Sequence, residues 1–197
     1  MNKTIDYYEN NAAAFVNGTL DVKFADIQDR FLSFLPEGGV ILDFGCGSGR
    51  DTKYFLNRGY VVDAIDGSEK LCEIANRNTG IKVRNMFFSE LNAENKYDGI
   101  WACASILHLS KEELKPVMAK MIQAVKDGGY IYSSFKYGEF EGYRHERYFT
   151  DFTEKSFFDF LTHYKNVKII DEWVSSDARP GREDEKWLNL ILQKTNF

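Results

Sequence analysis

Residues 40–51 read VILDFGCGSGRD, a short apolar strand running straight into glycines at 45, 47 and 49. Glycine weakens a strand or helix by about 0.5–1 kcal/mol relative to alanine, so three in five residues mark a tight turn or a body lying against the backbone. RDTKYFLNR follows as a helical pattern stopped by Gly59. Strand, glycine loop and helix together open a βαβ unit. Three readings suit the loop: a plain turn, a dinucleotide site, or a site for another nucleoside-bearing cofactor.

The pattern repeats downstream. YVVDAID is a second strand, followed by a helix capped by Ser68, where Leu71 stands in place of the acid of a full capping box. IKVRNMF and YDGIWACA are the third and fourth strands. Ser110 and Glu113 could cap a first turn, but Pro116 fits better as an early residue of a main helix PVMAKMIQAVKD, ended by Gly128 and Gly129. YIYSSFKY is a fifth strand, TEKSFFDFLTHY a helix, and VKIIDEWVSS and KWLNLILQK two closing strands. Upstream, IDYYENNAAAFVNGT and VKFADIQDRFLSFL read as amphipathic helices, the second running to Pro36. Alternating strands and helices imply an α/β, doubly wound, Rossmann-like sheet of seven mostly parallel strands with helices on both faces. The last two strands, joined only by a loop, should pair antiparallel, which puts one reversed strand at the sheet's end. The 197 residues need one domain, with 1–36 as an N-terminal helical cover and 136–152 as a substrate-side loop.

Composition narrows the function classes. A net charge of -5 argues against a nucleic-acid backbone as the main partner. No apolar run approaches the roughly 20 residues that cross a bilayer, and MNKTIDYYENN lacks a signal peptide's apolar segment. Cys46, Cys72 and Cys103 have no metal-type spacing, and their odd number suits reduced thiols and a cytoplasmic protein. No metal site is expected.

The loop's chemistry favours one ligand class. A dinucleotide fingerprint is G-x-G-x-x-G, but here the glycines make G-x-G-x-G and Arg50 takes the last position. Asp66, about twenty residues on, sits where an acid accepts ribose hydroxyls, although it could instead cap the helix near Ser68. Asp43, two residues before the loop, suits a ligand bearing an ammonium and a sulfonium better than a pyrophosphate. The helix N-terminus behind Gly49 would suit the same ligand's carboxylate, with Arg50 as its candidate partner. These features fit S-adenosylmethionine.

The runs LDFGCGSGRD, AIDGS, YDGIWACASILHL and KDGGYIYSSF resemble successive motifs of class I S-adenosylmethionine-dependent methyltransferases, nearest the small bacterial tellurite-resistance-like type. The likeness covers roughly residues 38–136 strongly and implies the sheet above, with its last strand inserted antiparallel. It assigns Gly45, Cys46, Gly47 and Gly49 to the cofactor loop, and Asp66 with Gly67 to the ribose. It places the adenine around Met86, Phe87 and Phe88, where Asn85-Met86-Phe87 replaces the acid of many relatives. Cys103 and Ala104, after the fourth strand, should lie near the sulfonium. The segment ACAS lacks both the Asn-Pro-Pro-Tyr motif of base-amino methyltransferases and a Pro-Cys nucleophile, so Cys103 reads as a wall residue. Relatives cover the cofactor with an N-terminal helix, and Tyr8 and Phe15, seven apart here, share one helix face.

His108 in ILHL is the candidate base, with a loop-fixing role as its competitor, and Tyr137 is a second catalytic candidate. Tyr143, Arg144 and Arg147 in KYGEFEGYRHERYFTDFT, with Arg179 and Arg182 in SSDARPGREDEKW, are candidate substrate contacts. Arginines suit a carboxylate, phosphate or other oxyanion, but neighbouring acids could equally pair with them. The expected activity is methyl transfer to a small-molecule acceptor by in-line displacement. A nucleic-acid or protein acceptor is the alternative, as is a catalytically silent partner subunit.

Overall fold

The computed structural model describes residues 3–195, so residues 1, 2, 196 and 197 of the span read as one domain lie outside it. In chain order the elements are α1 (Lys3–Thr19), α2 (Ala25–Leu32), β1 (Val40–Phe44), α3 (Arg50–Asn57), β2 (Val61–Asp66), α4 (Glu69–Thr79) and β3 (Arg84–Asn85). Then come β4 (Tyr97–Ala102), α5 (Lys111–Ala124), β5 (Val125–Lys136), β6 (Glu141–Arg144), β7 (Arg147–Thr150), α6 (Glu154–Leu161), β8 (Val167–Ser176) and β9 (Lys186–Lys194). Seven strands form one sheet in the order β3-β2-β1-β4-β5-β9-β8. β9 runs antiparallel to both neighbours, so the reversed strand is inserted one place in from the edge.

The central strands carry apolar side chains on both faces because both faces are covered. Ile41, Trp101, Tyr132 and Ile191 pack with Phe31 and Phe55 of α2 and α3 on one side. Leu42, Phe44, Ile100, Ile131 and Leu192 pack with Met118, Phe157 and Phe160 of α5 and α6 on the other. The alternation Ile41/Leu42, Ile100/Trp101, Ile131/Tyr132 is the period-2 signature of a strand set between two layers. Trp101 stacks on Tyr132 at 4.0 Å between centroids. Each fully buried ring of this size contributes roughly 1.5–3 kcal/mol.

Four details differ from the sequence reading. The third strand shrinks to Arg84–Asn85, both exposed at the sheet's edge, and the chain then turns through a single 3-10 turn at Phe88–Glu90. α5 starts at Lys111, because Ser110 and Glu113 do form a reciprocal capping box, and Pro116 lies inside the helix. Its end comes at Ala124, where the amides of Asn95 and Lys96 take the carbonyls of Gln123 and Ala124. Those bonds satisfy groups that a helix end leaves open, so Gly128 and Gly129 fall within β5. Finally, residues 136–152 contain an antiparallel hairpin, β6–β7, tied down by a bidentate Arg144–Asp151 pair.

Candidate active site

A cavity of about 1210 Å³ opens at the carboxyl ends of the parallel strands. Its walls are the segments following β1 (Gly45 to Ser48), β2 (Asp66, Gly67), β3 (Met86 to Ser89), β4 (Cys103 to His108) and β5 (Lys136, Tyr137). In an open α/β sheet ligands bind there, where the helices following β1 and β4 diverge to opposite faces. α1 closes one side through Tyr8 and Phe15, and the hairpin closes another through Arg144, Arg147 and Phe149.

The glycine loop is shaped by close approach. Gly45 has φ +91, and a Cβ there would lie 2.5 Å from the Ser105 Cβ, whose hydroxyl donates to the Phe44 carbonyl at 2.6 Å. Gly47 has φ +55 and lies under the Phe15 ring, 3.0 Å from an added Cβ. Gly49, also left-handed, is the residue before α3 and does not itself line the cavity.

Asp66 organises the floor. Its carboxylate accepts the Gly47 amide on one oxygen and the Ser68 amide on the other, both at 2.9 Å. Burial raises its pKa, and those two amides oppose the rise. Each oxygen keeps a further lone pair, so Asp66 can accept ribose hydroxyls while it shapes the loop. Its bond to the Ser68 amide at the start of α4 does not exhaust its acceptors. Phe87, half exposed, presents an apolar face on the rim beside Met86, while Phe88 packs on Phe44 at 4.6 Å. Close-packed glycines, a buried acid and an aromatic rim fit a nucleoside with its sugar.

Asp43 and Arg50 are placed otherwise than the sequence suggested. Asp43 is buried outside the cavity wall and accepts the Thr52 hydroxyl at 2.5 Å. Burial, then the nearby Asp51 charge, pushes its pKa up to about 8. Arg50 lines the cavity but spends Nε and Nη2 on Asp51, at 2.7 and 2.9 Å. Asp51, to which the sequence reading gave no role, also accepts Gln28 at 2.7 Å and the Trp101 indole at 2.9 Å. Arg50 thus closes a buried knot behind the loop, with only Nη1 loosely held.

Past β4, Ala104 adopts a left-handed φ of +48, and its amide donates to Ser134 Oγ at 2.8 Å. Burial pushes the Cys103 thiol up to about 12, and Cys46 also rises by burial, so both are neutral wall residues. His108 contacts the Tyr148 carbonyl through Nδ1 at 2.6 Å and the Tyr8 hydroxyl through Nε2 at 2.8 Å. A carbonyl only accepts, so Nδ1 carries the proton and Nε2 accepts from Tyr8. Burial lowers the His108 pKa to about 4 and raises that of Tyr8, so at neutral pH both are uncharged.

The outer residues divide. Tyr137 stands on the rim and its hydroxyl donates to Glu154 at 2.8 Å, which engages the group a catalytic role requires. Tyr143 is exposed and lies outside the cavity, edge-on to Tyr148. Arg179 grips Asp177, and Arg182 reaches Glu185 at 3.5 Å. Burial opposes ionisation of Asp177, yet hydrogen bonds from Arg179 and Trp187 hold it well below the usual carboxylate range. Lys136 completes this cluster with Asp177 and Glu185. Among the described residues no group of acids, histidines and cysteines is arranged to hold a metal, and no helix is long and apolar enough to cross a membrane.

The model of a methyltransferase domain matches residues 41–129. Phosphoethanolamine N-methyltransferase 3 of Arabidopsis thaliana is 32% identical over 57% of this chain, which spans only 26% of that protein's length. An uncharacterized methyltransferase of Staphylococcus carnosus is 26% identical, over 80% of this chain and 81% of its own. A probable S-adenosyl-L-methionine-dependent methyltransferase, TehB of Haemophilus influenzae, is 27% identical over 46% of this chain and 33% of its own. Among solved structures, the 1,6-didemethyltoxoflavin-N1-methyltransferase of Burkholderia thailandensis, with S-adenosylhomocysteine bound, superposes with a TM-score of 0.79. It is 23% identical and covers 98% of this chain and 85% of its own. The strand order, the glycine loop and Asp66 agree with this likeness: residues 41–129 match a methyltransferase domain, and the chain is similar to the probable S-adenosyl-L-methionine-dependent methyltransferase TehB.

Proposed function

We propose that the protein methylates a small-molecule acceptor inside the cavity closed by α1 and the β6–β7 hairpin. The cavity's volume carries this reading: about 1210 Å³ exceeds the roughly 300–1,000 Å³ typical of a single-ligand pocket and leaves room for cofactor and acceptor together. A nucleic-acid acceptor would call for an open basic face, whereas Arg144, Arg179 and Arg182 are already paired with acids. Two relatives are named for small acceptors, phosphoethanolamine and 1,6-didemethyltoxoflavin. The three unpaired cysteines suit a reducing cytoplasm.

Asp66 would take the ribose hydroxyls, Gly45 and Gly47 would let the ligand close on the backbone, and Phe87 would cover the base. Bound there, S-adenosylmethionine supplies a methyl group already activated by its cationic sulfur. The protein's remaining work is to hold the acceptor near and dry. Tyr8 Oη, whose proton points to His108 Nε2, offers a lone pair to an N–H or O–H of the acceptor. His108 at about 4 is too weak a base to take a proton outright near pH 7, so its part is to orient Tyr8. Incubating the protein with S-adenosylmethionine and separate pools of small amines and phenols, RNA, and protein extract tests the reading. S-adenosylhomocysteine formation with the small-molecule pool alone is expected, and turnover confined to RNA or protein would overturn it.

A further inference from the structure

Beyond the glycine loop four arginines line the cavity, and three are spoken for: Arg144 by Asp151, Arg179 by Asp177 and Arg182 by Glu185. Arg147, the first residue of β7, is different. Among the described residues no carboxylate pairs with it. Its guanidinium carbon lies 4.7 Å from the Tyr7 ring centroid, 5.2 Å from Phe149 and 5.9 Å from Tyr8. Its Nε is buried without a hydrogen-bond partner, and Nη1 reaches only the Tyr8 hydroxyl, at 3.5 Å.

Aromatic rings stabilise the face of a guanidinium and leave its edge, which carries the five donors, unsatisfied. A buried donor left without an acceptor is costly, and the fork of donors on an arginine matches the two oxygens of an oxyanion. We propose that Arg147 anchors an anionic group, a carboxylate or phosphate, carried by the methyl acceptor. The inference rests on the cofactor site described above and specifies what occupies the rest of the cavity.

Position favours the acceptor over the cofactor's own carboxylate. Asp66 ends β2 and Phe87 follows β3, whereas Phe149 packs edge-on against His108, which follows β4 on the far side of β1. Arg147 therefore belongs to the His108–Tyr8 end. There an anchored anion would leave the remainder of a small acceptor beside the Tyr8 hydroxyl. His108 is neutral and donates to a backbone carbonyl, so it does not compete for the anion.

The test follows the arginine Nε–Hε resonances of protein labelled with 15N-arginine and saturated with S-adenosylhomocysteine. Inorganic phosphate, acetate and chloride are titrated at constant ionic strength. The resonance absent from Arg147→Lys is expected to shift saturably with phosphate or acetate and not with chloride, and whichever anion acts names the group. Affinity for S-adenosylhomocysteine should stay within about twofold in Arg147→Lys and Arg147→Met. A resonance that ignores both oxyanions overturns the inference. So does a tenfold loss of S-adenosylhomocysteine affinity in Arg147→Met, which would give the arginine to the cofactor. Should wild-type protein fail to bind S-adenosylhomocysteine, the cofactor reading itself falls, and the same titration on unliganded protein still decides whether Arg147 takes an anion.

Discussion

His108 shows how one side chain's surroundings set its behaviour. An unfolded histidine titrates near 6.5, whereas burial holds the folded one near 4. Between these values the unfolded chain binds a proton that the folded one refuses, so folding stability falls as pH drops from 6.5 towards 4. With some solvent screening at this partly buried site, His108→Gln should remove about 2–3 kcal/mol of that pH dependence. Urea denaturation at pH 7 and pH 4.5 checks it, and an unchanged pH slope would mean His108 is not held neutral. At Gly45, alanine would combine a left-handed φ with a Cβ only 2.5 Å from Ser105. Gly45→Ala should cost about 2 kcal/mol or more by denaturant unfolding, through backbone strain and overpacking together. Both residues stood out in the sequence, since glycine spacing and a histidine after a strand are local signals. The knot around Asp51 and the bare edge of Arg147 did not, because Gln28, Trp101 and Tyr7 reach them from other elements.

At the scale of elements, the central strands and most helices were legible because their patterns are periodic and their caps local. β8 and β9 coincide with the runs read as strands. The failures lie where a tertiary contact decides. The start of α5 was set by the Ser110–Glu113 box rather than by Pro116, and its end by amides arriving from residues 95 and 96. Glu113→Ala should therefore cost about 1 kcal/mol in denaturant unfolding, since it leaves the Ser110 amide without its acceptor. The hairpin within 136–152 was hidden because Arg144 and Asp151, seven residues apart, read as loop charges until folding pairs them. Arg144→Met leaves the buried Asp151 carboxylate unpaired and should loosen the hairpin. Faster limited proteolysis near His145 would register this, and an unchanged cleavage rate would show that the ion pair does not hold the element.

For the whole molecule, the alternation of strands and helices encoded both the sheet and the end of it that binds, because a doubly wound sheet opens its crevice where strands finish. What covers the crevice could not be read in the same way. α1 and the hairpin are brought over the cavity by contacts across the chain, such as the Ser68 hydroxyl to Glu9 at 2.6 Å and the Tyr148 amide to Thr4 at 3.0 Å. Residues far apart in the sequence therefore meet at Tyr8, His108 and Arg147, and the cavity depends on the fold being complete. A ligand that bridges these parts should stabilise all of them together. At a hundred times its dissociation constant, S-adenosylhomocysteine should add about 2.7 kcal/mol to unfolding.

The most direct measurement is calorimetric titration of the wild-type protein and of Asp66→Ala with S-adenosylhomocysteine and with NADH. Micromolar binding of the sulfur nucleoside is expected, with none of NADH. A loss in Asp66→Ala of roughly 1–3 kcal/mol, about 5- to 150-fold in affinity, should accompany it. Binding of NADH, no binding of S-adenosylhomocysteine, or equal affinity in Asp66→Ala would contradict a nucleoside site built on Asp66 and the glycine loop.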